Sequence, residues 1–423
     1  MKRVSAGVLK NGFRFYTQYN SESHVSGIGV RAGSIYDPAG KNGLSHLAEH
    51  MLTGYSREEE LKFEEYGCGP EESGINVRVD RASAFFGHNL LLRREYASEL
   101  WKIIAGYLNK PRVTRGMLEM EQAAVLNEYF LRGEDKAEDV VETLMHGNMY
   151  ERNPARNKVD CEPADLKNIT CADMRQFVRT YYAPNNLFAI ILNLPFQKVK
   201  RLCEEYFGDL KTSSDPPTIS SRGETRPTFP APRYVEIERP GIHQYHVAIG
   251  FPTNPYGDKD DEALDVIAKI WTFRLRLALR DRNRKWGEGT YRVLSFTPRT
   301  RVHGMIYIWF ATPSEAFARE GAERVVKECE VLKRDPVPDD ELAAMSNKLW
   351  NAYVDDFGNT PDQLCERIIA AATNGDEDMR RLNSYLGRLA RVGKKSLNRV
   401  ANEYFTPGYL HLLLKPASPV SLP

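Results

Sequence analysis

The sequence predicts an α+β protein of two duplicated domains, each an antiparallel sheet with helices packed against it. Three observations predict this fold class. With 423 residues, the chain is too long for one ordinary hydrophobic core. Segments that alternate apolar and polar residues, typical of half-buried strands, are followed by long patterns typical of helices. The same order of strands and then helices begins again after the middle of the chain, which indicates an internal duplication.

In the first half, strand patterns occupy residues 13–18 and 24–31. An apolar-periodic segment from Leu44 to Leu52 is predicted to form a helix, because Gly43 and Gly54 bound it on either side. The remaining predicted elements are a strand at 82–91, helices at about 94–107, 115–131, 135–149 and 172–182, and a buried strand at 187–194.

Residues 211–232, KTSSDPPTISSRGETRPTFPAP, have the composition of a linker, since they are rich in Pro, Ser and Thr and lack periodicity. We therefore predict a first domain at 1–212, a linker at 213–232 and a second domain at 233–423. The elements predicted after the linker are strands at about 233–238, 244–251, 291–297 and 303–311, a long helix at 260–284, and four or five later helices.

The composition excludes several classes of protein. A formal net charge of +1 gives no electrostatic case for binding nucleic acid or an anionic membrane surface. No apolar run approaches the roughly 20 residues needed to span a bilayer. The six cysteines are scattered without a Cys-x-x-Cys pair, which favours free thiols in a reducing compartment. Because the N-terminal residues also lack the apolar region of a signal peptide, we expect a cytoplasmic location.

The most specific chemical pattern is H-x-x-E-H, which occurs in the segment GLSHLAEHML. His46 and His50 are four residues apart, so on a helix their imidazoles project from one face and can share one zinc ion. Glu49 is three residues after His46 and turns toward the same face. Because zinc does not need this carboxylate as a ligand, it can act as general base toward a water molecule that zinc activates.

A catalytic zinc requires a third protein ligand and one open position. The predicted helix at 115–131 offers two carboxylates, Glu121 and Glu128, which lie seven residues apart and therefore on one face. One of them would coordinate the metal. The other would orient a ligand imidazole, as metal-binding histidines generally require. The spacing alone leaves open which carboxylate has which role.

Three passages resemble, in order and spacing, the pitrilysin/insulinase family of zinc metallopeptidases, which are inverzincins. They are RAGSIYDPAGKNGLSHLAEHMLTG, MEQAAVLNEY and DLKNITCADMRQFVRTYYAPNNLFAIILNLP. The resemblance covers nearly the whole chain and is to the family's single-half-shell subunits. It implies that His46, His50 and Glu128 bind zinc, and that the two domains form one half of a clamshell. It also implies that Glu49 is the catalytic base and that Glu121 is the acidic residue that supports the site.

The resemblance further implies residues that bind substrate. The family's edge strand after the ligand helix pairs with the substrate backbone, and Asn76 matches its asparagine, although Val77 replaces the usual alanine. In its second half the family carries an arginine and a tyrosine, seven residues apart, that stabilise the tetrahedral intermediate. Arg284 and Tyr291 have this spacing, while Arg280 stands in the more family-like sequence context, so either arginine is a candidate.

Family members enclose their active site between two such halves, so we expect a homodimer or a heterodimer with a paralogous subunit. The implied function is a zinc-dependent endopeptidase that hydrolyses peptides or flexible precursor segments inside a closed chamber. General peptide clearance and specific precursor processing both fit the sequence. The alternative is a non-catalytic scaffold or partner subunit of a heterodimeric peptidase complex. Such relatives generally lack one or more of the site residues, all of which are present here.

Overall fold

The computed structural model describes residues 3–19, 25–52, 57–65, 76–88, 112–131, 136–212, 226–280 and 289–417, with residues 101, 102, 105, 106 and 108. The strands are β1 (Ser5–Val8), β2 (Arg14–Thr17), β3 (Ser26–Val30), β4 (Asn76–Val79), β5 (Ala84–His88), β6 (Leu187–Ile191), β7 (Arg233–Arg239), β8 (Tyr245–Thr253), β9 (Val293–Phe296), β10 (Arg299–Thr300), β11 (His303–Thr312) and β12 (Leu410–Pro416). The α-helices are α1 (Leu44–Leu52), α2 (Arg57–Glu65), α3 (Arg115–Leu131), α4 (Ala137–Met149), α5 (Pro163–Leu166), α6 (Cys171–Tyr181), α7 (Phe196–Phe207), α8 (Asp261–Leu279), α9 (Glu315–Arg334), α10 (Asp339–Gly358), α11 (Pro361–Thr373), α12 (Arg380–Asn383), α13 (Tyr385–Leu389) and α14 (Lys394–Tyr404). The predicted α+β class is confirmed.

The two sheets repeat one topology. The first has the strand order β1-β2-β6-β3-β5-β4, and the second has the order β10-β11-β8-β12-β7, with β9 also paired to β11. In each sheet one pair is parallel, β2 with β6 and β7 with β12, and the other pairs are antiparallel. In each sheet the last strand of the half, β6 or β12, pairs parallel with one earlier strand on one side. On its other side it pairs antiparallel with β3 or β8, respectively. This shared order supports the internal duplication predicted from the sequence.

The chain packs into two compact units that are not contiguous in sequence. The first unit comprises Met1–Tyr129, Asn157–Ser220 and Tyr353–Asn383, and the second comprises Phe130–Arg156, Ser221–Ala352 and Ser384–Pro423. Helix α4 belongs to the second unit because Val141, Met145 and Met149, spaced four residues apart, pack into the core on that sheet. The predicted boundaries at 212 and 233 stay a prediction, and residues 213–225 of the predicted linker lie outside the described residues.

The first core fixes the helix that carries the His-x-x-Glu-His pattern. Leu44, Leu47, Ala48 and Met51 of α1 are all buried in the core of the first unit, under the sheet that contains the fully buried strand β3. Helix α1 lies beside the edge strand β4 and packs against α6. Its polar residues can therefore turn only toward the side that the core does not occupy.

Two further points concern the remaining helices. Within the described ranges, none of them is both long enough and apolar enough to cross a membrane. The predicted helix at 94–107 falls mostly on residues outside the described part of the chain, and so does the end of the predicted helix at 260–284.

Candidate metal centre

Helix α1 has the predicted bounds and presents its polar residues together. His46 and Glu49 are each 7% exposed, and the ring centroids of His46 and His50 lie 4.9 Å apart. One potential ligand atom from each of His46, Glu49 and His50 can be chosen so that all three lie within 4.8 Å of one another. A buried cluster of two imidazoles and a carboxylate has the composition of a metal site.

Glu128 of helix α3 completes the cluster from a second element. One of its carboxylate oxygens lies 3.4 Å from His46 Nε2, and the other lies 3.4 Å from His50 Nε2. Ligand atoms held at about 2.0–2.1 Å from a tetrahedral ion are separated from one another by roughly 3.3–3.4 Å. Each of these two nitrogen–oxygen distances therefore matches the separation of two ligands on one zinc ion.

The two carboxylates nearest the imidazoles differ in their surroundings. Glu49 Oε2 lies 3.7 Å from His46 Nε2 and 3.8 Å from His50 Nε2, farther than Glu128. Burial raises the pKa of Glu49, so its carboxyl takes up a proton more readily than usual. Hydrogen bonds from His46 and His50 hold the pKa of Glu128 well below its usual range, so this group stays anionic. The environment thus favours the anionic form of Glu128 and makes Glu49 the more readily protonated carboxyl group.

The outer nitrogens of the two imidazoles have different partners. His46 Nδ1 donates a hydrogen bond to the main-chain oxygen of Asp160 at 2.9 Å, because a carbonyl can only accept. His50 Nδ1 bonds a carboxylate oxygen of Glu121 at 3.2 Å. Burial favours the neutral form of His50, but the surrounding carboxylates raise its pKa to about 9. Both Nε2 atoms lie near Glu128, and the supporting role of Glu121 stays a prediction.

The start of α1 depends on a carboxylate that the sequence analysis did not single out. Asp37 is buried, and its two oxygens accept hydrogen bonds from the main-chain N–H groups of Gly43 and Ser45, each at 2.8 Å. Burial raises the pKa of Asp37 to about 7, while these bonds oppose the rise. An acidic residue shortly before a helix is a general signal for such a cap. Gly43 comes six positions after Asp37, which is farther than the local capping patterns reach, so they do not reveal this cap.

Two of the predicted substrate-binding residues, Asn76 and Tyr291, lie among the described residues. Asn76 begins the edge strand β4, where its backbone pairs with Gly87. Tyr291 belongs to the second unit and is 84% exposed. The guanidinium carbon of Arg280 lies 5.6 Å from the centroid of the Tyr291 ring, within reach of a cation–π contact. Arg284 lies outside the described residues, so its role and those of Asn76 and Tyr291 stay predictions.

A duplicated α+β fold whose first half carries a His-x-x-Glu-His helix defines the inverzincin class. The family profiles agree with that class. Residues 14–162 match the profile of the insulinase family (peptidase family M16), and residues 168–349 match the profile described as the peptidase M16 inactive domain. The chain belongs to the insulinase family, peptidase family M16.

Several known proteins are similar to the chain. The zinc protease PqqE of Helicobacter pylori is 21% identical and is matched over 94% of this chain and 89% of that protein. The mitochondrial-processing peptidase subunit alpha of Neurospora crassa is 24% identical over 52% of this chain and 38% of that subunit. A protease from Helicobacter pylori of known crystal structure shares the fold, with a TM-score of 0.87, 18% identity, and 98% of this chain and 100% of that chain covered. The alignments to three other curated relatives span 54%, 54% and 51% of this chain and 24%, 50% and 43% of the respective relative.

Proposed function

We propose that this chain is a zinc-dependent endopeptidase in which His46, His50 and Glu128 hold the metal. The observation that carries the proposal is the placement of the Glu128 oxygens, each 3.4 Å from one imidazole nitrogen. Two imidazole nitrogens and one carboxylate oxygen form a common donor set of catalytic zinc sites. When bound, the ion supplies the Lewis acidity that activates a water molecule and polarises a peptide carbonyl.

Glu49 has the position and environment of a general base. Its carboxylate lies beside both imidazoles without being the nearest acidic group, and burial raises its pKa. A carboxyl group of this kind can accept a proton from the attacking water and hold it until the leaving amine takes it. Glu121 keeps the His50 ring oriented through Nδ1.

Substrate would bind as an extended strand next to this cluster. Strand β4 is an edge strand of the first sheet and lies beside α1, so its outer backbone groups can pair with a peptide. We extend the proposal to Asn76 on that strand. Tyr291, together with Arg284 or Arg280, would steady the charge that develops on the substrate carbonyl. The contact between Arg280 and Tyr291 supports Arg280 as one candidate, and Arg284 lies outside the described residues.

We further propose that the active protein is a dimer that encloses its substrate in a chamber. One relative is named as a subunit of a processing peptidase, which favours a heterodimer, while the full-length match to PqqE leaves a homodimer open. A cytoplasmic location is also proposed. It is supported by the five cysteines in the described ranges, which are all free thiols.

The test compares the wild-type protein with a Glu49→Gln variant. Zinc content and cleavage of a quenched fluorogenic peptide library are measured on both proteins. We expect about one zinc per chain in each, and loss of cleavage only in the variant. Glu119→Gln serves as the control, since Glu119 is an exposed residue of α3 that pairs with Arg115.

Two other results would change the conclusion. Zinc without cleavage in the wild type would favour a non-catalytic partner subunit, and adding a candidate paralogous subunit would then test for restored activity. A folded wild-type protein that binds no zinc would contradict the proposal that His46, His50 and Glu128 hold a metal ion.

A further inference from the structure

The carbonyl that orients His46 belongs to a segment held from outside the ligand helix. The segment runs through residues 157–162 and carries the Asp160 oxygen to 2.9 Å from His46 Nδ1. Because this oxygen accepts a hydrogen bond from Nδ1–H, the proton of the neutral ring stays on Nδ1 and the lone pair is on Nε2, the nitrogen that faces Glu128. The orientation of His46 therefore depends on where the main chain of Asp160 is held.

Asn42 bonds this segment through its side chain before Asp160 and through its main chain after Asp160. Its side-chain Nδ2 donates to the Lys158 carbonyl at 2.9 Å, and its Oδ1 accepts from the Lys158 N–H at 3.2 Å. Its main-chain oxygen accepts from the N–H of Glu162 at 3.3 Å, and its main-chain N–H donates to Asp165 at 3.1 Å. Asn42 is only 7% exposed, so water offers little replacement for these bonds.

The two imidazoles are thus oriented in different ways. His50 relies on a carboxylate side chain, that of Glu121, whereas His46 relies on a main-chain carbonyl whose position is determined by another residue. Asn42 stands before Gly43 and outside α1, so its side chain is free to bond this segment rather than the helix.

We propose that Asn42 is a positioning residue that orients His46, because its side chain holds Lys158, two residues before the Asp160 carbonyl. The metal-binding consequence rests on the proposed function, whereas the orientation of the ring does not. An outer residue that orients a metal-ligating histidine typically changes metal affinity by about 10–100-fold. We expect Asn42→Ala to weaken zinc binding by at least about tenfold.

The primary readout is the His46 ring in the metal-free protein. With ¹⁵N-labelled histidine, the hydrogen-bonded Nδ1–H gives a ring-nitrogen signal that can be assigned by its loss in His46→Gln. In Asn42→Ala this signal should broaden or shift toward that of a solvent-exchanging ring. Asn42→Ser removes the same reach to Lys158 while leaving a polar group at the site, and it should act in the same direction if Asn42→Ala folds poorly.

Asn157→Ala is the matched control. The Asn157 side chain joins the same segment to the main-chain oxygens of Ser34 and Asp37, at 2.8 and 3.2 Å, but Asn157 is one residue farther from Asp160 than Lys158 is, and these two bonds do not involve the main chain of the segment itself. Its loss should lower stability without altering the His46 signal or the zinc affinity to the same extent.

The outcomes separate the two proposals. Equal effects of Asn42→Ala and Asn157→Ala would mean that general attachment of the segment is responsible, and they would overturn the inference. An unchanged His46 signal in Asn42→Ala would overturn it as well. If the wild type binds no zinc, the proposed function fails, while the ring signal still decides whether Asn42 positions His46.

Discussion

The pH dependence of metal binding follows from the charges around His50. Burial favours a neutral ring, but Glu128, Glu49 and Glu121 together raise its pKa from 6.5 to about 9. A metal ion needs the neutral imidazole, so below pH 9 it has to displace a proton. We expect zinc affinity to rise through a pH range in which an ordinary histidine has already lost its proton.

The size of the effect follows from that pKa. With a pKa of about 9, roughly 1% of the His50 rings are neutral at pH 7, roughly 9% at pH 8 and about half at pH 9. The apparent dissociation constant for zinc should therefore fall about tenfold from pH 7 to pH 8 and about fivefold from pH 8 to pH 9. A ring with a pKa of about 6.5 is mostly neutral at pH 7, and it would change the affinity less than about 1.5-fold above that pH.

The assay titrates metal-free protein with chelator-buffered zinc at half-unit steps from pH 7 to pH 9, with the free zinc concentration corrected at each pH. Glu121→Gln removes one of the three carboxylates that raise the pKa of His50. In that variant the rise in affinity should level off at a lower pH. A wild-type affinity that stays constant from pH 7 to pH 9 would refute the charge arrangement described here.

Three further predictions concern stability. The metal-free protein should lose about 3 kcal/mol of unfolding free energy as the pH rises from about 6.5 to about 9. The raised pKa of His50 stabilises the folded state fully below pH 6.5, and this stabilisation is lost as the pH rises through about 9. Urea unfolding of the wild type and of His50→Gln at several pH values checks this prediction. Asp37→Ala should cost about 1–2 kcal/mol in urea unfolding, since two main-chain N–H groups at the start of α1 lose their acceptor, and an unchanged midpoint would contradict the cap. Gly43→Ala should lower the thermal unfolding midpoint more than Gly40→Ala does. Both glycines have a positive φ, but only a Cβ added at position 43 would meet another atom, at 2.6 Å from the Cβ of Cys161. Equal decreases in the two midpoints would argue against that contact.

Local periodicity made much of the architecture predictable. The bounds of α1 and α3 in the structure coincide with those predicted. For α1 they follow from its apolar pattern and from the glycines that flank it in the sequence. Residue spacing also placed Glu121 and Glu128 on one face, and the structure brings that face to the two imidazoles. Spacing could not decide between the two carboxylates, since that depends on which helix face meets which nitrogen.

Contacts between residues far apart in the chain could not be predicted from local sequence patterns, for a physical reason. Strand β12 was not predicted, because a short apolar run after a helix resembles the end of that helix when only periodicity is considered. The parallel strand pairs in both sheets join residues far apart in the chain, and local sequence patterns do not indicate which distant strands pair. The Asp160 contact to His46 is made by the main chain, which every residue type possesses, so no side-chain motif could reveal it.

The position of β6 and β12 inside their sheets has a consequence for how the protein is made. Each is the last strand of its half, and each lies between two earlier strands, β2 and β3 or β7 and β8. During vectorial synthesis, the earlier strands emerge from the ribosome long before the strand that joins them. Until then their apolar edges stay open to pairing with other chains. Completion of each sheet therefore waits for one late strand, and a nascent chain released before residue 410 would be a candidate for capture by chaperones or proteases.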